Sequence, residues 1–233
     1  MGFLLVIFGL CLGSFLNVLI WRLNDEKAPR FWEGRSICPR CRKPLAWYDN
    51  IPLVSFVALG RCCRHCRARI SWHYPLVELL TVVAFWVIGW QPPLLILGGV
   101  FVVIFFSDWI YGVIPDEMII IGVAVGLIGR IGQIWTGVAA GLVFFAIVAV
   151  TRFRGMGLGD VKLAFLMGFL LGWPKVGVAI WLSFVLGGLV AGSLLLLKRR
   201  RLSDKIAFGP YLVLGTLFSA LWSNYLLGLV TRF

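Results

Sequence analysis

The sequence predicts an all-α protein that crosses a membrane several times and carries a small metal-stapled domain after its first span. Three observations carry this expectation. Of the 233 residues, 61% are hydrophobic and only 14% are charged, whereas soluble domains have about 45–50% apolar and about 25% charged residues. Apolar runs separated by short polar breaks recur along the whole chain. Four cysteines in two Cys-x2-Cys pairs stand inside the one long polar stretch.

The runs fall at about 2–21, 75–90, 93–107, 117–129, 133–151, 161–174, 176–197 and 206–230. A spanning helix needs about 20 residues, within roughly 17–25. The first, fifth, seventh and eighth runs satisfy that. The other four must borrow flanking residues, tilt, or be shielded by neighbours. About eight transmembrane helices are expected, with seven as the alternative. The first run has no basic residue ahead of it and no small-residue cleavage pattern behind it, so a retained helix is expected rather than a signal peptide. The organisation is then a first transmembrane helix over 1–22, a cytoplasmic domain over 23–74, and a transmembrane domain over 75–233.

Orientation follows from Lys and Arg. With eight alternating spans, segments 22–74, 108–116, 152–160 and 198–205 share one side and hold 18 basic residues against 3 on the other. Lys162 lies just inside the helix that follows. The richer side is cytoplasmic by the positive-inside rule, and the N-terminus is outside. The net charge of +12 is thus mostly topology and contact with anionic lipid, which argues against a nucleic-acid partner.

The 22–74 loop contains "CPRC" and "CCRHC". Cys38 with Cys41, and Cys63 with Cys66, form two knuckles of a four-thiolate site for structural zinc. A reducing cytosol disfavours disulfides. A loop of about 50 residues is too small to build a stable core unaided, so a metal staple has a reason to be there. Cys62 could replace Cys63 as a ligand with a three-residue gap. His65 reads as a solvated side chain, since four thiolates complete the shell.

Five of the ten acids fall at the membrane: Glu78, Asp108, Asp116, Glu117 and Asp160. A carboxylate inside a span costs about 2.5–3.5 kcal/mol on insertion scales, so it usually faces a cavity and works. Asp108 closes the third run and Asp160 opens the sixth. Both fall at the cytoplasmic ends of their helices, at similar depth. Two such carboxylates facing each other suggest an aspartic dyad. Gly155, Gly157 and Gly159, in "GMGLGD", leave room for a substrate strand and permit positive φ at the helix entry. The bland alternatives are an N-cap role for Asp160 and a water-seeking interfacial role for Asp108. Asp116 follows Pro115 and is the rival member of the pair. Glu78 could meet an Arg of the loop or line the site.

These motifs, taken in order, closely resemble the type 4 prepilin peptidases, membrane aspartic proteases of the GxGD kind. The resemblance covers nearly the whole chain. It rests on "GSFLNVLIWRL" (13–23), "CPRC", "WYDNIPLVS" (47–55), "GRCCRHC", "ISWHYPLVELL" (70–80), "SDWIYGVIPDEM", "GMGLGDVKL" and "FGPYL" (208–212). It implies Asp108 and Asp160 as the catalytic pair and Cys38, Cys41, Cys63 and Cys66 as zinc ligands. Gly155, Gly157, Gly159, Asp116, Lys162 and Glu78 are then supporting positions. The implied reaction removes the basic leader of type IV prepilins and pseudopilins, after a glycine, at the cytoplasmic face of the bacterial inner membrane. Many members also methylate the new N-terminus with S-adenosylmethionine, and here that activity and cofactor rest on the resemblance alone. The leader would be positioned by local acids such as Asp49, Glu33 or Glu78.

Rival classes are an ion or proton transporter using the membrane aspartates and a non-catalytic pilus or secretion scaffold. A metalloprotease is disfavoured, because there is no HExxH and a closed four-thiolate site leaves no open position for water.

Overall fold

The structure, a computed structural model, describes residues 2–25, 28–29, 34–130, 133–152, 156–197 and 207–230. It is all-helical. Among the described residues the only β pairing is two isolated bridges, Ile37 with Pro44 and Cys62 with Arg69. The helices are α1 (Gly2–Asn24), α2 (Val54–Ala58), α3 (His73–Ile88), α4 (Pro92–Tyr111), α5 (Asp116–Arg130), α6 (Ile134–Val150), α7 (Leu158–Leu171), α8 (Lys175–Leu196) and α9 (Gly209–Val230). A 3-10 turn covers Trp47–Asn50. The chain forms two compact units, Met1–Ser107 and Asp108–Phe233. The division falls in the last turn of α4.

Every helix except α2 takes up one apolar run. By length and apolarity α1, α4 and α8 can each cross a membrane, while α3, α6 and the described part of α9 are shorter apolar helices. The helix ends depart from the runs for local reasons. α4 opens on Pro92, whose missing N–H costs nothing in a first turn. It carries on through Asp108 to Tyr111 rather than stopping at 107. α7 starts at Leu158, because Asp160 reaches back to accept the N–H of Gly157, the half of a capping box that a glycine N-cap allows. It stops at Gly172, with φ +69, a left-handed ending that apolarity alone does not reveal.

In the first unit, α1 packs along α3. A Cβ on Gly9 would lie 2.9 Å from the Val82 Cα, and one on Gly13 would lie 2.7 Å from the Glu78 Cα. The two glycines, one turn apart, bring the backbones together as small residues do in membranes. In the second unit α7 packs against α5, α6, α8 and α9, and Leu163, Ala164, Leu166 and Met167 are fully buried. Gly168 makes the close approach to α6, where Thr136 Oγ1 donates to its carbonyl at 2.8 Å. The buried hydroxyls of Ser183 and Thr216 donate to carbonyls four residues back, at 2.7 and 2.8 Å, which satisfies them without a partner helix.

Candidate active site and metal centre

The loop between α1 and α3 folds into two matching knuckles. In the first, the Arg42 N–H donates to the Cys38 carbonyl at 2.8 Å and the Cys38 N–H donates to Lys43. In the second, the Arg67 N–H donates to the Cys63 carbonyl at 3.0 Å and the Cys63 N–H donates to Ala68. Arg42 and Arg67 both take φ +57, a left-handed conformation usually left to Gly or Asn. Each turn folds its two sulfurs inward. Those of Cys38, Cys41, Cys63 and Cys66 lie within 4.8 Å of one another, and Cys38 and Cys66 are 4.0 Å apart. A tetrahedral zinc with bonds of about 2.3 Å spaces its sulfurs roughly 3.8 Å apart, so the set fits the ion. Cys63 is in the set and Cys62 is not.

Burial pushes the Cys38 thiol up to about 11. The backbone N–H of Cys66, helped by that of His65, draws Cys63 down to about 7 against the pull of burial. An ion entering the site displaces the remaining thiol protons. Little else holds the module. Among the described residues from 25 to 72, the buried apolar side chains are Cys38, Phe56 and Cys63.

The second unit contains both membrane aspartates, each buried with one oxygen held by a backbone N–H at a helix start. Asp160 is the third residue of α7, not its N-cap, and its Oδ2 accepts the Gly157 N–H at 3.0 Å. Asp108 Oδ2 accepts the N–H of Gly209, the first residue of α9, at 2.8 Å. The Asp160 carboxyl lies within electrostatic reach of Asp108. Gly157 sits at φ −95, and Gly159 is not among the positive-φ residues. Neither uses the left-handed freedom expected of the motif. Space at Gly159 is tight, since a Cβ there would lie 3.2 Å from the Ile114 Cβ. Gly155 lies outside the described residues.

The rival carboxylate is occupied. Asp116 opens α5 and pairs with Lys162 at 2.6 Å, both side chains about half exposed. Glu78 belongs to the first unit, where it is buried and its Oε2 accepts the Leu53 N–H at 2.8 Å. It meets no Arg among the described residues. Asp49 pairs with Arg64 at 2.8 Å and its side chain is only 2% exposed. Asp49 is thus already paired, while Glu78 is buried with one oxygen on a backbone N–H. Glu33 lies outside the described residues.

Gly209 was not singled out by residue-level reading. A Cβ there would lie 2.7 Å from Asp108 Oδ2. Its only sequence signal was its place in "FGPYL", since its partner is 101 positions away.

Comparison with known proteins adds a second line. Residues 7–92 match the bacterial peptidase A24 N-terminal domain. Residues 95–192 match the type IV leader peptidase family. A prepilin leader peptidase/N-methyltransferase of Aeromonas salmonicida is 33% identical over 95% of this chain and 90% of its own length. One of Pseudomonas aeruginosa is 29% identical over 94% of this chain and 89% of its own. One of Myxococcus xanthus is 36% identical over 84% of this chain and 64% of its own. No solved structure matches. A chain of apolar helices with a four-cysteine cluster, matched along nearly its whole length by these enzymes, belongs to the prepilin leader peptidase/N-methyltransferase family.

Proposed function

We propose that this membrane peptidase removes the basic leader of type IV prepilins or pseudopilins by aspartic catalysis at Asp108 and Asp160. The cut falls after a glycine, at the cytoplasmic face of the bacterial inner membrane. One observation supports the reading most: two buried carboxyls in one unit, the charge of Asp108 felt at Asp160, each with one oxygen fixed by a helix-start N–H. The second oxygen of each is left for water and substrate. The ionised member takes a proton from water as its oxygen attacks the scissile carbonyl, and the protonated member gives its proton to the carbonyl oxygen. The carboxyl that took the proton from water passes it to the amide nitrogen as the tetrahedral diol collapses and the C–N bond breaks, and the other carboxylate takes back a diol proton. The leader leaves with a carboxylate and the trimmed chain with a new amine.

The glycines suit an extended substrate. A Cβ on Gly157 would meet nothing closer than 3.9 Å, so the backbone before Asp160 is open to a neighbouring strand. Lys162, in the second turn of α7, ties that helix to Asp116 at the start of α5. The 23–74 module is the cytoplasmic part between the first span at 1–22 and the peptidase region at 75–233. The basic excess of its side sets that orientation. S-adenosylmethionine, when bound, supplies the methyl group that replaces one hydrogen of the new amine.

The test is incubation of the purified protein in detergent with a peptide carrying a basic leader, a glycine and an apolar helix. Product masses should show one cut after the glycine, and a gain of about 14 Da on the trimmed chain only when S-adenosylmethionine is added. A wild-type protein that never shortens such a peptide contradicts the reading.

Two further outcomes are expected in that assay. Gly209→Ala forces the Asp108 carboxyl from its place, and a displacement near 1 Å costs about a hundredfold in turnover. A Gly209→Ala protein of wild-type rate would remove Gly209 from the site. Lys162→Ala breaks an exposed pair worth about 0–1 kcal/mol, so thermal stability and cleavage should stay close to wild type. A collapse of either would show that the pair does more than brace two helix ends.

A further inference from the structure

The metal module carries its large apolar side chains on the outside. Among the described residues from 25 to 72, Phe56 is buried beside Cys38 and Cys63, while Trp47, Ile51, Val54, Val57 and Trp72 are exposed. A small module surrounded by water places such residues the other way round. α2 shows the inversion locally. Ser55, Phe56 and Leu59 turn inward onto a cavity behind the helix. Val54 and Val57, three positions apart on its other side, are 60% and 76% exposed.

The depth of this face follows from α3. Trp72 precedes that helix with helical angles, φ −66 and ψ −18, and the Leu76 N–H donates to its carbonyl at 3.3 Å. Trp72, Leu76, Leu79, Val83 and Trp86 recur at helical spacing and are all exposed, while Val77, Glu78, Thr81 and Phe85 on the opposite face are buried. In a membrane protein an exposed apolar stripe along a helix meets lipid. Its first member, Trp72, stands where the helix meets the polar loop, the level at which aromatic side chains collect at a membrane boundary.

α2 stands at the same level, since the Phe56 and Trp72 rings are 5.2 Å apart. The Arg61 guanidinium lies over the Trp72 ring, 4.5 Å from its centre. Arg61 is exposed and forms no ion pair among the described residues. A cation held on the face of a boundary tryptophan is placed for a lipid phosphate. The charge of the module agrees. Residues 34–72 hold eight Lys or Arg and one acid, Asp49, which is taken by Arg64. Such an excess attracts anionic lipid and repels a basic leader.

We infer that this face is a docking surface for anionic phospholipid. Val54, Val57 and Trp72 lie in the boundary between headgroups and acyl chains, and Arg61 binds a headgroup phosphate. The module then rests on the bilayer beside α1 and α3, the two helices that leave it, rather than standing in water above them. A shallow apolar face flanked by basic residues is how interfacial segments hold a membrane surface. The inference is independent of leader cleavage and of methyl transfer.

The test uses the full-length, zinc-loaded protein in nanodiscs of phosphatidylcholine and phosphatidylglycerol in equal parts. Photoreactive benzoylphenylalanine replaces Val57, whose exposure leaves room for it, and the adducts are read by mass. Both lipids should be attached, with phosphatidylglycerol in excess. Arg61→Gln should lower the ratio of phosphatidylglycerol to phosphatidylcholine adducts by about fivefold, the weight of one basic residue at an anionic surface. Arg61→Lys should keep the ratio. Metal content equal to wild type shows that the variants fold. Absence of lipid adducts at position 57, or an unchanged ratio in Arg61→Gln, overturns the inference. So does attachment at 57 to a second copy of the chain, or transfer of the label from lipid to an added leader peptide, either of which makes the face a protein-binding surface.

Discussion

Asp160→Asn should yield a protein that folds, retains its metal and does not cut. The asparagine carbonyl oxygen can still accept the Gly157 N–H that now reaches Asp160 Oδ2 at 3.0 Å, so the hydrogen bond that starts α7 survives. Side-chain volume is nearly unchanged, so the buried packing of Leu163, Ala164 and Met167 behind it is undisturbed. What is lost is a group able to take up and return a proton. General acid–base catalysis contributes about 10²–10⁴-fold per group, and an aspartic pair works as a unit, so the rate should fall by at least about a thousandfold. Initial rates on a leader peptide, at matched protein and matched metal content, measure this. Cleavage within about tenfold of wild type would show that Asp160 serves only as a capping acid.

The second large effect belongs to the metal module. Cys63→Ser should strip the metal and unfold the 34–72 segment, while Cys62→Ser should do neither. The module has almost no core apart from its sulfurs, with Phe56 the one buried apolar side chain beside Cys38 and Cys63. Structural zinc contributes about 10–16 kcal/mol in zinc-finger peptides, far more than one phenylalanine can. Cys62 stands outside the cluster and takes part through its backbone, in the bridge to Arg69. Metal content by mass spectrometry, with limited proteolysis of the loop, reads both outcomes. Full metal in Cys63→Ser, or its loss in Cys62→Ser, would reassign the ligand. A chelator should mimic Cys63→Ser, exposing the loop to protease while α4 to α9 stay protected.

Much of this was legible in the residues, because the signals were local. Each apolar run became a helix, and the x2 spacing of the cysteines fixed both knuckles, since a single tight turn brings two sulfurs to one ion. What escaped was set by the backbone or by distant partners. Hydropathy placed the start of α7 three residues late, because a glycine N-cap closed by Asp160 carries no apolar signal. Arg42 and Arg67 in the left-handed region could not be foreseen, since those places usually go to Gly or Asn. The partners of Asp49 and Glu78 lie 15 and 25 positions away, Arg64 for the first and the Leu53 N–H for the second, and no local pattern points to either. Gly209 was invisible at residue level, because its role is a single N–H offered to Asp108 across 101 positions.

The partner of Asp160 is the point on which the catalytic account turns, and one comparison decides it. Leader cleavage by Asp108→Asn and by Asp116→Asn should be measured side by side, with wild type and equal metal content. Asp108 is buried and bonded to the start of α9, whereas Asp116 is 61% exposed and paired with Lys162. The expected result is no detectable cutting by Asp108→Asn and a near-wild-type rate for Asp116→Asn. Normal cutting by Asp108→Asn, with loss in Asp116→Asn, would contradict the pairing and move the catalytic centre to the start of α5.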